Sequence, residues 1–176
     1  MSQDSLNNPS KNLPTRGDPT KVSSAIQRII SIIQTQASFE MPRDVTEDDM
    51  LFPINSFAPK EVSVRDRFIT ALVEFQLDTV LADADGNKSD VKVFSAASTI
   101  RVIYELDSDH SKFSDDDLHL FLQINVVMNA VPYWREFVHS ATARAGLPCY
   151  EVPIFNFARM VKEALEEVED GTIDSD

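Results

Sequence analysis

The clearest pattern in the sequence is an alternation of apolar and polar residues that begins at Ile69. Ile69, Val73 and Leu77 fall on one side of an extended chain, whereas Thr70 and Glu74 fall on the other. A period of two residues is typical of a β-strand that buries one face and exposes the other. The pattern therefore predicts a strand that covers one side of a core.

A hairpin turn and a returning strand are predicted to follow. Asp85-Gly86 lies within residues 83–87, and an Asp-Gly pair between alternating segments is a strong signal for a tight turn. One set of residues in the returning strand is predicted to face inward: Phe94, Ala96, Ile100, Val102, Tyr104 and Leu106. The opposite set is predicted to face outward: Val93, Ser95, Thr99, Arg101 and Glu105.

The segment of residues 26–40 has two interpretations. Ile26, Ile29 and Ile30 have helical spacing, but β-branched residues crowd a helix, and residues 33–39 alternate as in a strand. We expect a strand over at least the second half, while a helical turn before it remains open. Together with a short strand expected at residues 61–67, this predicts an antiparallel sheet of about four strands.

Residues 41–60 are predicted to form a long connection between the first two strands. Pro42, Pro53 and Pro59 lie in this segment, and proline resists regular structure. The connection is unusually apolar, with Met50, Leu51, Phe52, Ile54 and Phe57 in its second half. Two explanations stay open: the segment packs back on its own core, or it forms a wall of a binding groove.

The last part of the chain has helical patterns. Ser114, followed by three aspartates, predicts a capped helix start, since carboxylates are favoured near the positive end of the helix dipole. Pro132 should kink or divide the helix, and Gly146 should end it. A final helix is predicted to begin at Asn156. Strands followed by helices indicate an α+β fold with the helices on one face of the sheet.

Domain organisation follows from the same patterns. Residues 1–21 are polar and rich in Ser, Asn and Pro, and are expected to form a flexible extension. Residues 22–170 are expected to form one folded domain, and residues 171–176 an acidic tail. The extension contains no apolar segment of the kind found in signal peptides, and no apolar run in the chain is long enough to span a membrane.

The net charge of the chain indicates which classes of partner it is expected to bind. The formal net charge is −13, which disfavours binding to nucleic acids and to anionic membranes. An acidic surface attracts basic stretches of unfolded polypeptides, although solubility alone is a sufficient explanation. The single cysteine, Cys149, excludes an internal disulfide, as expected for a cytoplasmic protein.

The residues that carry enzyme chemistry are sparse. The three histidines, His110, His119 and His139, have no spacing typical of metal ligands, and Cys149 has no histidine partner in the sequence pattern. The aspartates after Ser114 are explained by the helix start. The sequence therefore predicts no catalytic residue, no metal and no cofactor.

One segment near the C-terminus resembles a known family. Pro132-Tyr133-Trp134-Arg135-Glu136, a turn with Gly146 and Pro148, and then Asn156-Phe157 are similar to the most recognisable segment of SecB-like chaperones. Upstream, Ser38-Phe39-Glu40 resembles the end of the family's first strand, and Phe57-Ala58-Pro59 the end of its crossover loop. The similarity runs in order from residue 26 to residue 168.

The resemblance implies a four-stranded antiparallel sheet with a crossover loop, packed by a kinked helix and a C-terminal helix. It also implies a cytoplasmic homotetramer, a dimer of dimers, that holds unfolded polypeptides in apolar grooves without ATP, for protein export and translocation or related quality control. Core packing is the preferred explanation for two of the implied client-binding residues, Phe157 and Met160. The full implied set is Leu51, Phe52, Phe57, Phe155, Phe157 and Met160.

Docking to the export motor SecA is implied for Glu40. The chain departs from the family here, because Gln36 stands where an acidic residue is expected and residues 94–97 contain no acid. An alternative is therefore a dedicated chaperone, or adaptor, for a single partner such as an antitoxin. Suppression of aggregation for many clients would favour the general chaperone, and suppression for one partner would favour the adaptor.

Overall fold

The computed structural model describes residues 17–46, 48–107 and 113–153. Within them, four strands form one antiparallel sheet in the order β1-β4-β3-β2. The predicted four-stranded antiparallel sheet is thus confirmed. The strands are β1 Ile26–Glu40, β2 Leu51–Arg65, β3 Phe68–Ala82 and β4 Lys88–Leu106.

The connection between β1 and β2 crosses the sheet, because these two strands lie at opposite edges. The predicted crossover is present, but its predicted length is wrong: β2 begins at Leu51, so residues 51–60 lie in a strand. The expected strand at residues 61–67 is the second half of β2. Pro53 and Pro59 are accommodated because β2 is an edge strand, and an edge tolerates residues without an N–H group.

The turn between β3 and β4 was predicted correctly. The Asp83 carboxylate accepts hydrogen bonds from the backbone N–H groups of Asp85 and Asn87, and Gly86 has a positive φ of 79°. One buried residue of β4 was missed: Val93 is fully buried, although the alternation places it in the outward set. The register shifts beside it, since Thr79 pairs with Phe94 and Val80 with Lys92, which leaves Val93 as an extra residue in β4.

The strand interpretation of residues 26–40 is confirmed over the whole segment, and the helical turn that stayed open within it is replaced by strand. Strand β1 covers the whole segment, and a short helix, α1 Pro19–Ser24, precedes it. Asp18 caps α1 by accepting a hydrogen bond from the backbone N–H of Thr20, and Val22 is fully buried in the core. The last residues of the predicted extension 1–21 therefore overlap the folded part, and residues 1–16 lie outside the described residues.

Three helical segments follow the sheet: α2 Asp115–Phe121, a π-helical segment Leu122–Val126 and α3 Val127–Arg144. Ser114 caps α2 as predicted, through a reciprocal capping box with Asp117. Pro132 lies inside α3, so the helix is not divided there, which was one of the two predicted effects of this proline. The irregularity lies upstream, in the π-helical segment, where the wider turn interrupts the regular hydrogen-bond pattern. Gly146, with φ of 72°, follows the helix end as predicted.

The helices cover one side of the sheet, which we call the inner face, and no helix of the described residues covers the other side, the outer face. Trp134 of α3 and Phe121 of α2 are fully buried against inner-face residues such as Phe75 and Tyr104. The α+β arrangement is thereby confirmed. The predicted helix from Asn156 lies outside the described residues.

Candidate functional site

Strand β2 places the predicted binding residues on both faces of an exposed edge. Leu51 and Phe57 lie on the inner face, where they pair with Leu81 and Phe75 of β3. Phe52 pairs with Val80 and lies on the outer face. All three side chains are half-buried. The structure therefore brings Leu51 and Phe57 to one surface and separates Phe52 from them by the thickness of the strand.

A row of aromatic rings leads from this edge into the helical layer. The ring centroids of Phe57 and Phe75 are 6.2 Å apart, and the Phe75 ring stacks on Trp134 at 5.6 Å. Trp134 in turn lies 5.9 Å from Phe137. Ring pairs at such separations contribute about 0.5–1.5 kcal/mol beyond area burial. The Phe75 ring therefore packs against the inner side of Phe57, while part of the Phe57 side chain remains accessible to solvent.

The segment after α3 closes one end of this surface. The side-chain NH₂ of Asn55 on β2 donates to the Tyr150 hydroxyl at 2.8 Å, and the Tyr150 backbone N–H donates to the Thr142 hydroxyl at 3.2 Å. Val152 is buried in the core. The chain is thus held beside β2 just before residue 154. Phe155, Phe157 and Met160 lie outside the described residues.

A second apolar surface lies between β1 and α3. Phe39 and Tyr133 are 40% and 43% exposed, and with Phe137 they line a groove of about 560 Å³. Glu136 and Arg144 supply its charged groups. Tyr133 was visible in the sequence as part of the resemblance, and Phe137 follows directly after that segment. Their place beside the exposed edge of β1 was not, because only the tertiary fold brings β1 and α3 together.

The outer face around Glu40 has little charge. Gln36 pairs with Thr99 and Ser38 with Ala97, and these small or neutral residues line a shallow depression of about 450 Å³. Glu40 is exposed at the end of β1, opposite Ser95. Nearby carboxylates are already paired: Glu74 contacts Lys60 at 2.8 Å, and Asp78 contacts Lys92 at 2.9 Å.

The electrostatics of Asp78 show how such a pair acts. Burial raises the pKa of its carboxyl group, but hydrogen bonds from Ser95, Lys92 and Gln76 outweigh burial and leave the pKa below its ordinary value. Asp78 is therefore ionised at neutral pH and already has its partners. Glu40, in contrast, is an exposed acid at this end of β1.

Chemistry of the enzymatic kind has little support among the described residues. Within residues 17–46, 48–107 and 113–153, no group of three His, Cys, Asp or Glu side chains could hold a metal ion. Cys149 is exposed, and His119 contacts Gln123, at 3.0 Å between nitrogens. In that part of the chain, no helix is long and apolar enough to cross a membrane.

The architecture is that of a SecB-like fold. A SecB-like chaperone of Mycobacterium tuberculosis, solved in complex with a ChAD peptide from the HigA1 antitoxin, superposes with a TM-score of 0.66 at 15% identity. The match covers 78% of this chain and 96% of the mycobacterial chain, and confirms the predicted likeness at the level of the fold.

A second solved structure is less similar, and comparisons of the sequence found no match. A Streptococcus agalactiae protein of unknown function matches 72% of this chain and 98% of its own at 14% identity, with a TM-score of only 0.36. No protein-family model matches the sequence. No curated protein matches it significantly.

Proposed function

We propose that this protein is a cytoplasmic, ATP-independent holdase chaperone that binds unfolded polypeptides on apolar surfaces and catalyses no covalent reaction. The observation that carries the proposal is the SecB-like fold combined with half-exposed aromatic residues at the sheet edge. Phe57 is packed from inside by Phe75 and yet reachable from solvent. Exposed apolar surface with little directional chemistry suits clients that share no sequence.

The proposed client path runs along the inner side of β2, over Leu51 and Phe57, toward the segment that contains Phe155, Phe157 and Met160. Recognition by side chains is favoured over strand addition, because Pro53 and Pro59 remove two N–H donors from β2. Phe52, on the opposite face, is proposed to contact clients that fold around the edge. Its contribution is expected to be smaller than that of Phe57.

The test is suppression of aggregation of an unfolded client, followed by light scattering. Phe57→Ser and Leu51→Ser are expected to weaken suppression, and Phe52→Ser to weaken it less. The matched control is Phe68→Ser, because Phe68 is exposed on the outer face away from the proposed path. Equal suppression of aggregation by all four variants, with unfolding curves that show intact folds, would contradict the proposed client path.

A dedicated chaperone for one partner is the second candidate. The mycobacterial neighbour was solved with an antitoxin peptide, which supports a role of this kind for a chain with the same fold. Export through SecA docking has narrower support, since Glu40 is the one residue proposed for it. Suppression for many unrelated clients favours the general holdase, whereas suppression for a single partner favours the dedicated role.

Assembly into a homo-oligomer, a dimer of dimers, is part of the proposal. The exposed edge of β1 carries Ile29, Ile30 and Ile33, each at least 40% exposed. Unpaired edges with apolar side chains are usually covered by another chain. Light scattering coupled to size-exclusion chromatography should give a mass of four chains, and a strictly monomeric mass would overturn this part.

A further inference from the structure

Arginines are concentrated at one end of the outer face, around the β2–β3 turn. The register places Arg65, Phe68, Glu105 and Arg28 side by side across the four strands, and Arg67 lies in the turn. This end of the sheet differs from the depression described above, whose charged residues, Lys60 and Glu74, pair with each other. We call Arg28, Arg65, Arg67 and Arg101 the arginine cluster.

Glu105 organises the cluster. Its side chain is 2% exposed, and its two carboxylate oxygens accept from Arg28 Nε at 2.6 Å and from Arg67 Nη2 at 2.5 Å. The two arginine side chains remain 66% and 63% exposed. One carboxylate balances one of these two charges, and each guanidinium has five donors. Several N–H donors of Arg28 and Arg67 are therefore not used by Glu105 and remain accessible on the outer face.

Arg101 adds a second observation to the cluster. It lies between Leu72 and Ile33 in the register, and its Nε is buried without a hydrogen-bond partner in the structure. Apolar surface accompanies the charge, since Phe68 is 38% exposed and the Arg67 guanidinium lies 5.8 Å from the Phe68 ring centroid.

Charges of the opposite sign are as numerous in this region, but they leave much of the arginine surface unused. Glu61, Asp66 and Glu105 lie in these rows and in the turn, and Asp107 follows at the end of the same strand as Glu105. Arg28 and Arg67 share the one carboxylate of Glu105, and Arg65 is exposed, so guanidinium groups remain accessible in a chain whose net charge is −13. The expected occupant is therefore an acidic segment with apolar residues between its acids.

The chain itself contains such a segment. Residues 166–176 carry six acids and no basic residue, with Val168 and Ile173 between them. We propose that residues 166–176 bind the arginine cluster of their own chain. A free acidic partner is repelled by the rest of this surface, whereas a tethered segment acts at an effective concentration on the order of millimolar.

The length of the segment allows the contact. The described chain ends at Pro153, and residues 166–176 alone span up to about 35 Å when extended. That length is comparable with the diameter of a small domain, which is about 30 Å. The contact does not involve the client path over Leu51 and Phe57, because these two residues lie on the opposite face of the sheet.

Paramagnetic relaxation in the full chain tests the proposal. A nitroxide is attached through Ser175→Cys in a Cys149→Ser background, and the amide signals of the described residues are followed by NMR. The expected result is a selective loss of signal at Phe68, Arg101 and Glu105 at low salt. The loss should disappear near 1 M salt, where the screening length falls to about 3 Å.

Two further samples complete the test. Neutralising Glu166, Glu167, Glu169 and Asp170 should abolish the loss, whereas neutralising the exposed Asp44, Asp48, Asp85 and Asp90 should preserve it. A mixture of isotope-labelled chains without nitroxide and unlabelled chains with nitroxide should show no loss. Loss in that mixture, loss centred on another surface, or loss that survives neutralisation of residues 166–170 would overturn the intramolecular contact.

Discussion

The carboxylate of Asp117 connects the N-terminal helix α1 to α2. Replacing this carboxylate should measurably lower the stability of the protein. Asp117 is 1% exposed and accepts from the backbone N–H of Asp18 at 2.5 Å and that of Ser114 at 3.1 Å. Lys21 Nζ lies 3.4 Å from the same carboxylate. We expect Asp117→Asn to lower the free energy of unfolding and to loosen α1.

The magnitude follows from the pKa of the group. The hydrogen bond from the Asp18 backbone, followed by those from Ser114 and Lys21, lowers the pKa of Asp117 from 3.8 to about 2, although burial acts in the opposite direction. At 1.36 kcal/mol per pKa unit this is about 2 kcal/mol as an upper figure. Because Lys21 is 56% exposed and screened by solvent, about 1–2 kcal/mol is expected at pH 7.

The pH dependence has a definite sign. The folded-state pKa of Asp117 is below its unfolded value, so its stabilisation is present above the ordinary pKa of 3.8 and is lost as pH falls toward 2. The difference between wild type and Asp117→Asn should therefore shrink by about half at pH 3. Urea unfolding followed by circular dichroism at pH 7 and pH 3 measures both values.

The matched control is Asp115→Asn, which removes an exposed carboxylate from the same first turn of α2. It should lose only the interaction with the helix dipole, about 0.3–1 kcal/mol. Equal losses for Asp115→Asn and Asp117→Asn, or a loss for Asp117→Asn that stays constant between pH 7 and pH 3, would refute the reasoning.

Three further predictions concern buried or closely packed positions elsewhere in the described chain. Val22→Ala should lower the free energy of unfolding by about 2 kcal/mol in urea unfolding, because Val22 is fully buried, whereas Val91→Ala, at an exposed valine, should lower it by less. Gly17→Ala should cost about 1–3 kcal/mol, since the new Cβ would lie 2.6 Å from the Asp116 carbonyl carbon; an unchanged unfolding midpoint would contradict this. Burial raises the pKa of Tyr104 to about 12, so stability present below pH 10 should be lost as pH rises toward 12, and Tyr104→Phe should abolish this part of the alkaline loss.

Structural features that depend on residues close together in the sequence were predicted correctly. The Asp85-Gly86 turn and the Ser114 cap depend on residues a few positions apart, and both were predicted correctly. Pro53 was misjudged because its tolerance depends on β2 being an edge strand, which is a property of the whole sheet. Val93 was misjudged because the register shift beside it depends on the pairing with β3.

The candidate site was predictable only in part, for the same reason. Leu51, Phe52 and Phe57 were identified by their apolar character and by the resemblance, but their distribution over two faces follows from strand pairing. The arginine cluster had no signal in the sequence, since Arg28, Arg67 and Arg101 come from three separate segments. Glu105, predicted to face solvent, is buried because two of these arginines cover it.

The position of β1 at one edge of the sheet, where β4 is its neighbour among the four described strands, has a consequence for synthesis on the ribosome. The pairing partners of residues 26–40 are residues 95–106, so β1 emerges well before the strand that completes it. At about 5–20 residues per second, the delay is on the order of 3–10 s. During that time a nascent chain displays an isoleucine-rich strand with no partner, and its early contacts must be weak enough to be exchanged for β4.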